Sequence, residues 1–107
     1  MIELIRYQRE DKREPFTQWL EAIRDKTAQA RVRVRLRQWQ AGNFGDSEPV
    51  GEGVSELRIH IGAGYRAYVA RHGTAIVLLL CGGDKASQAA DIKRAKAYFA
   101  DWKRSQR

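Results

Sequence analysis

Residues 56–68 read ELRIHIGAGYRAY, and the reading of this stretch decides the fold. β-Branched and aromatic residues alternate with polar ones on both sides of Gly62-Ala63-Gly64, the pattern of two antiparallel strands joined by a tight turn. A three-residue turn sets Ile61 opposite Tyr65, His60 opposite Arg66, Ile59 opposite Ala67 and Arg58 opposite Tyr68. Directly opposed residues share a face of the sheet. One face then carries Leu57, Ile59, Ile61, Ala67 and Val69 and packs on a core. The other carries Arg58, His60, Arg66 and Tyr68. A two-residue turn would slip the register and bury Arg66 among the isoleucines, so the alternation selects the three-residue turn. Two guanidiniums beside an imidazole and a phenol suit a phosphodiester, because forked N–H donors match phosphoryl oxygens.

Working outward, His72-Gly73 turns the chain into residues 75–81, an apolar run that reads as a strand covered on both sides. Gly82-Gly83-Asp84-Lys85 leaves the sheet, and Ser87 is placed to cap a last helix whose stripe is Ile92, Ala95, Phe99 and Trp102. On the N-terminal side, residues 43–53 are rich in Gly, Asp, Ser and Pro and read as a loop. Residues 31–37, RVRVRLR, alternate as a strand would. Helical spacing competes successfully, since Ala28, Val32, Leu36 and Trp39 form one stripe with Thr27 as N-cap and Gly42 as stop. Pro15 opens an earlier helix with Phe16, Trp19, Leu20 and Ile23 on one face. Residues 2–7 are a first strand. The expected order is β-α-α-β-β-β-α, a single α+β domain over residues 1–107 with a small antiparallel sheet, two N-terminal helices and one C-terminal helix.

Composition narrows the function. The chain has 107 residues, 43% of them apolar, and a formal net charge of +7. A modest core and a polyanionic partner follow: nucleic acid, an anionic membrane or an acidic protein. No apolar run approaches a membrane span and the N-terminus is not a signal peptide, so the expectation is a soluble, cytoplasmic protein without a membrane role. One Cys and two distant His supply neither a disulfide framework nor a usual metal ligand set, so no cofactor or metal is expected. Cys81 lies inside the apolar run as a buried thiol.

Five segments in order carry a family likeness: GNFGD at 42–46, GVSELRI at 53–59, GYRAY at 64–68, LLLCGGDK at 78–85 and QAADIKRAKAYF at 88–99. With them the chain resembles toxins of the RelE/ParE superfamily, most closely the HigB-like, phage-derived addiction module killer branch of type II toxin–antitoxin systems. The resemblance spans nearly the whole chain. It implies a small antiparallel sheet flanked by helices, cleavage of mRNA in the ribosomal decoding site, and a cognate antitoxin, usually a helix-turn-helix DNA-binding protein. By position, Arg66 matches the superfamily's best-known functional arginine, Arg58 a second basic position, and Lys85 belongs to the GGDK element of this branch.

Metal-independent RNA cleavage uses the 2′-hydroxyl against the neighbouring phosphorus. It needs cations on the phosphoryl oxygens, a base and an acid. Arg58 and Arg66 are candidates for the cations. His60 is the natural acid or base, with Tyr68, Tyr65 and Lys85 as alternative donors or orienting groups. Arg31, Arg33, Arg35 and Arg37, with Lys93 on the last helix, fit a ribosomal RNA backbone footprint. The expected function is a ribosome-dependent mRNA endoribonuclease. Two alternatives remain open: a ParE-type inhibitor of DNA gyrase, and a non-catalytic basic nucleic-acid-binding protein.

Overall fold

The run from Ile76 to Gly83 forms the strand around which the molecule is built. Its side chains alternate between two cores: Val77 and Leu79 point to one, Leu78 and Leu80 to the other, and all four are buried. Burying a leucine on either side contributes roughly 2 kcal/mol by area. The computed structural model describes residues 1–106. In chain order the elements are β1 (Glu3–Arg6), α1 (Pro15–Ala22), α2 (Lys26–Gln40), β2 (Ser47–Gly51), β3 (Val54–Ile59), β4 (Tyr65–His72), β5 (Ile76–Gly83), a 3-10 turn (Lys85–Ser87) and α3 (Gln88–Ser105). The sheet order is β1-β5-β4-β3-β2. Helices α1 and α2 cover one face with Phe16, Leu20, Val32 and Trp39. Helix α3 covers the other with Ala95 and Phe99.

The α+β class holds, but the sheet is mixed rather than antiparallel. β1 runs parallel to β5, while every other pairing is antiparallel. Hydropathy alternation is the same for either direction, so the sequence pattern carries no information on this point. The segment read as a loop contains strand β2, paired through Ser47 to Leu57, Glu48 to Glu56 and Pro49 to Ser55, with an irregularity before Gly51. It is an edge strand, the place where a sheet tolerates proline and charge. The connection to β3 is a two-residue turn at Glu52-Gly53, both with positive φ (54° and 82°). That conformation normally selects Asn-Gly or Asp-Gly, so glutamate disguised it.

The basic stretch 31–37 is helical, with Ala28, Val32 and Trp39 buried and Val34 exposed on the far side. Its cap is Asp25 rather than Thr27: the carboxylate accepts from the N–H groups of Thr27 (2.9 Å) and Ala28 (3.2 Å). Ser87 likewise precedes α3 without capping it, its hydroxyl bonding Asp91 instead. Asp84 caps the 3-10 turn.

The hairpin keeps its two faces but shifts register by two residues. Ile59 opposes Tyr65, Arg58 opposes Arg66, Leu57 opposes Ala67 and Glu56 opposes Tyr68. Residues 60–64 form the loop, closed by Ile61 N–H to Ile59 O (2.9 Å) and Gly64 N–H to Ile61 O (3.2 Å). Gly62 and Gly64 both take positive φ, a conformation that glycine adopts without a Cβ penalty. An even shift preserves which residues share a face, so Leu57, Ile59, Ala67 and Val69 still line the core under α1 and α2.

Candidate functional site

Glu56 organises the polar face of the hairpin. It is buried in β3, two residues before Arg58 and hence on the same face, directly opposite Tyr68. Its Oε2 accepts from Tyr68 Oη (3.2 Å) and Gln88 Nε2 (2.8 Å). Its Oε1 accepts from Arg58 Nε (3.1 Å) and stands 3.6 Å from Arg66 Nε. A buried carboxylate needs such partners, and here they come from β3, β4 and α3.

The two arginines, opposed across β3 and β4, are not equivalent. Arg58 is engaged on every side: Nε with Glu56, Nη1 with Asp46 at 3.2 Å and Nη2 with Glu48. The bond to Glu48 leads the causes that raise its pKa. Asp46 and Glu48 come from the β2 segment, so the missed strand is what neutralises this cation. Arg66 is different. Its side chain is 15% exposed, yet Nε and Nη1 are buried and form no hydrogen bond among the described residues. The carboxylate that faces it, Glu56, stands at ion-pair distance without bonding it directly, so Arg66 is held less tightly than Arg58.

His60 leaves the ladder and does not face Arg66, contrary to the three-residue-turn register. It stands in the loop, exposed, with Nε2 2.6 Å from Asp46 Oδ2. That bond leads the causes holding the Asp46 carboxyl below its usual range, with the Arg58 charge adding to it. His60, Asp46, Arg58, Glu56 and Arg66 thus form one continuous line of polar contacts. The Nδ1 atom of His60 has no partner among the described residues. Lys85 is exposed in the 3-10 turn, beside the hairpin loop: a Cβ on Gly64 would lie 3.6 Å from Lys85 Cβ.

Two expected site residues are placed elsewhere by the fold. Tyr68 is fully buried under α3, and burial followed by the adjacent Glu56 charge raises its pKa far above the ordinary value. Its hydroxyl donates to Glu56 inside the protein. Arg35 is a tie inside the protein, donating from Nη1 to Arg58 O (3.0 Å) and from Nη2 to Phe44 O (2.9 Å). The other α2 arginines, Arg31, Arg33 and Arg37, are exposed, and α2 lies on the face of the sheet away from Arg66. Lys93 is exposed on α3, on the Arg66 side. Tyr65 faces the α1 side.

Sequence reasoning did not single out Glu56, Asp46, Glu48 or Gln88. Glu56 had a signal: a carboxylate inside an apolar strand at the same parity as two arginines and a tyrosine. Asp46 and Glu48 had none, because their role depends on a strand pairing. The second buried carboxylate, Asp91, accepts from Ser87 just before α3 and from Arg94 within it, and packs over Gly83 of β5.

No helix among the described residues is long and apolar enough to cross a membrane. No family model matches the chain. A protein of Haemophilus influenzae that carries the name "Uncharacterized protein" is 46% identical over 81 residues, which cover 76% of this chain and 82% of that protein. At that identity and coverage, this chain and the Haemophilus influenzae protein belong to one family.

Proposed function

We propose that the protein is the toxin of a type II toxin–antitoxin system of the RelE/ParE superfamily, and that it cleaves mRNA on the ribosome. The observation that carries this reading is Arg66, a guanidinium near the start of the central strand β4 whose Nε and Nη1 form no hydrogen bond among the described residues and whose side chain is 15% exposed. The motif matches at 53–59, 64–68 and 78–85 and the net charge of +7 support it. A phosphodiester meets the part of the Arg66 guanidinium that reaches the surface, while its buried Nε stays beside Glu56. Arg58 joins it by exchanging its exposed partners Asp46 and Glu48 for phosphoryl oxygens, since solvent-exposed pairs contribute little and exchange readily. His60, oriented by Asp46 through Nε2, takes the 2′-hydroxyl proton at Nδ1. The 2′-oxygen bonds the phosphorus, the bond to the 5′-oxygen breaks, and Lys85 returns a proton to that oxygen. Tyr68 and Gln88 act one step back, as the partners that position Glu56 between the arginines.

A nuclease of this kind requires control in the cell, and the reading includes a cognate antitoxin of the helix-turn-helix class that blocks the toxin. Primer extension on an mRNA translated in a purified system tests the reading. New 5′ ends that need both the ribosome and Arg66 are expected, with Arg66→Ala reducing cutting roughly 100-fold or more. Cutting by Arg66→Ala at the wild-type rate would remove the clamp. One observation favours a second reading: Asp46, Glu48 and Glu56 already neutralise Arg58. A folded protein that cuts nothing, stops growth and inhibits supercoiling is a gyrase inhibitor instead.

A further inference from the structure

A cleft of about 340 Å³ opens at the end of the sheet, between the C-terminal end of α1 and the connection from β5 to α3. Its walls include Trp19, Ile23, Arg24, Tyr65, Asp84 and Ser87. Trp19 is held in place: a Cβ on Gly82 would stand 2.1 Å from its ring, so only glycine lets the indole lie against β5, and Phe16 packs on it at 5.4 Å. The Asp84 carboxylate is also fixed. Its Oδ1 accepts from Ala86 N–H (2.9 Å) and Ser87 N–H (3.2 Å), while Oδ2 has no partner among the described residues. Arg24 is exposed at the rim.

We infer that this cleft takes one unstacked nucleobase of the RNA strand whose phosphate is held at Arg66, an inference that rests on the nuclease reading. Unpaired RNA is recognised by stacking bases on aromatic side chains and bonding their Watson–Crick edges. Trp19 and Tyr65 supply the aromatic walls, Asp84 Oδ2 a fixed acceptor, and Arg24 a cation for the flanking phosphate. The volume lies at the small end of ligand pockets, room for a nucleoside and little more. Position agrees with this assignment. Tyr65 adjoins Arg66 in β4, and Gly83 is paired directly with Arg66. Cleft and clamp therefore occupy the same end of β4 on opposite faces, with Lys85 at the loop beside it. A strand rounding the end of the sheet reaches both.

A lone carboxylate oxygen selects among bases. Guanine offers adjacent N1–H and N2 amino donors. The single N–H of uracil sits between two carbonyl oxygens that a carboxylate repels. The cleft therefore prefers guanine and disfavours uracil.

Amide and indole N–H spectra of the labelled protein, titrated with each of the four ribonucleoside 5′-monophosphates, test this directly. Guanosine monophosphate is expected to move the Trp19 indole and the Gly83 and Ser87 amides, binding roughly threefold to tenfold more tightly than uridine monophosphate. Asp84→Asn keeps an oxygen for the cap and replaces the free acceptor with a donor, so it should abolish or invert that preference. Equal response to all four nucleotides, no response at the cleft, or an unchanged preference in Asp84→Asn overturns the inference. Primer extension keeps the two readings apart: Asp84→Asn should alter the base preference next to the cut, whereas Arg66→Ala should not cut. If the wild type cuts nothing, the nuclease reading falls and the titration alone decides the cleft.

Discussion

Arg58 and Arg66 carry the same charge and stand opposite one another, yet their surroundings give them opposite tasks. Arg58 is held by Asp46, Glu48 and Glu56, while among the described residues Arg66 has Glu56 alone as a carboxylate partner, at 3.6 Å. Glu56 is the residue on which both depend. Glu56→Ala leaves two partly buried guanidiniums without their shared carboxylate and should destabilise the fold by about 3 kcal/mol, read as a lower urea midpoint. Tyr68 adds a pH dependence of known sign. Burial and the Glu56 charge raise its folded pKa above the unfolded value near 10. The neutral phenol therefore stabilises the fold fully below pH 10, and that contribution is lost as pH rises from there through the folded value. Thermal melting should fall more steeply above pH 10 in the wild type than in Tyr68→Phe. Tyr7 shifts the same way, through burial and its bond to Asp101 (2.5 Å), so Tyr68→Phe removes only part of the slope.

At the scale of elements, β2 is the part whose role was least visible. It pairs with β3, brings Asp46 and Glu48 to Arg58, and depends on the turn at Glu52-Gly53. Gly53 has φ of 82°, and a Cβ there would stand 2.8 Å from the Phe99 ring. Gly53→Ala combines backbone strain with a clash against α3 and should cost about 1–3 kcal/mol. Differential scanning calorimetry would show a lower Tm, and the spectra should show Arg58 losing its β2 partners. In β5, Leu80 is fully buried beneath α3. Leu80→Ala should cost about 2–5 kcal/mol, without altering the α2 face, and denaturant unfolding measures it. α2 itself shows how a stripe outweighs an alternation: Val32 and Trp39 find the core only as a helix, and the arginines between them are then spread around it.

For the whole molecule, the charge is distributed unevenly. The line of contacts from His60 to Arg66 is largely compensated by carboxylates, whereas Arg31, Arg33 and Arg37 stand exposed on the other side of the sheet. Under the proposed function, those arginines provide affinity for ribosomal RNA rather than chemistry. Replacing all three with alanine should weaken ribosome binding and reduce the slope of log affinity against log salt by roughly two to three, measured by co-sedimentation across a salt series. Cutting of ribosomes already saturated with the variant should persist. Loss of cutting at saturation would mean that α2 lies at the reacting strand.

The sequence by itself determined the α+β class, the helix stripes, the twice-covered strand β5 and the division of the hairpin into an apolar and a polar face. Each depends on periodicity, which is a local property and survives an even slip of register. It also marked Arg58, Arg66, His60 and Lys85 by residue type and motif. Only the tertiary structure decided that β1 runs parallel to β5, that β2 is a strand, that Tyr68 and Arg35 are internal, and that His60 pairs with Asp46. These facts turn on which distant segments meet, and on whether a side chain ends beside a carboxylate, a carbonyl or nothing. The physical reason Arg66 differs from Arg58 lies there: identical side chains acquire different chemistry from partners that neither the spacing nor the composition of their own strands contains.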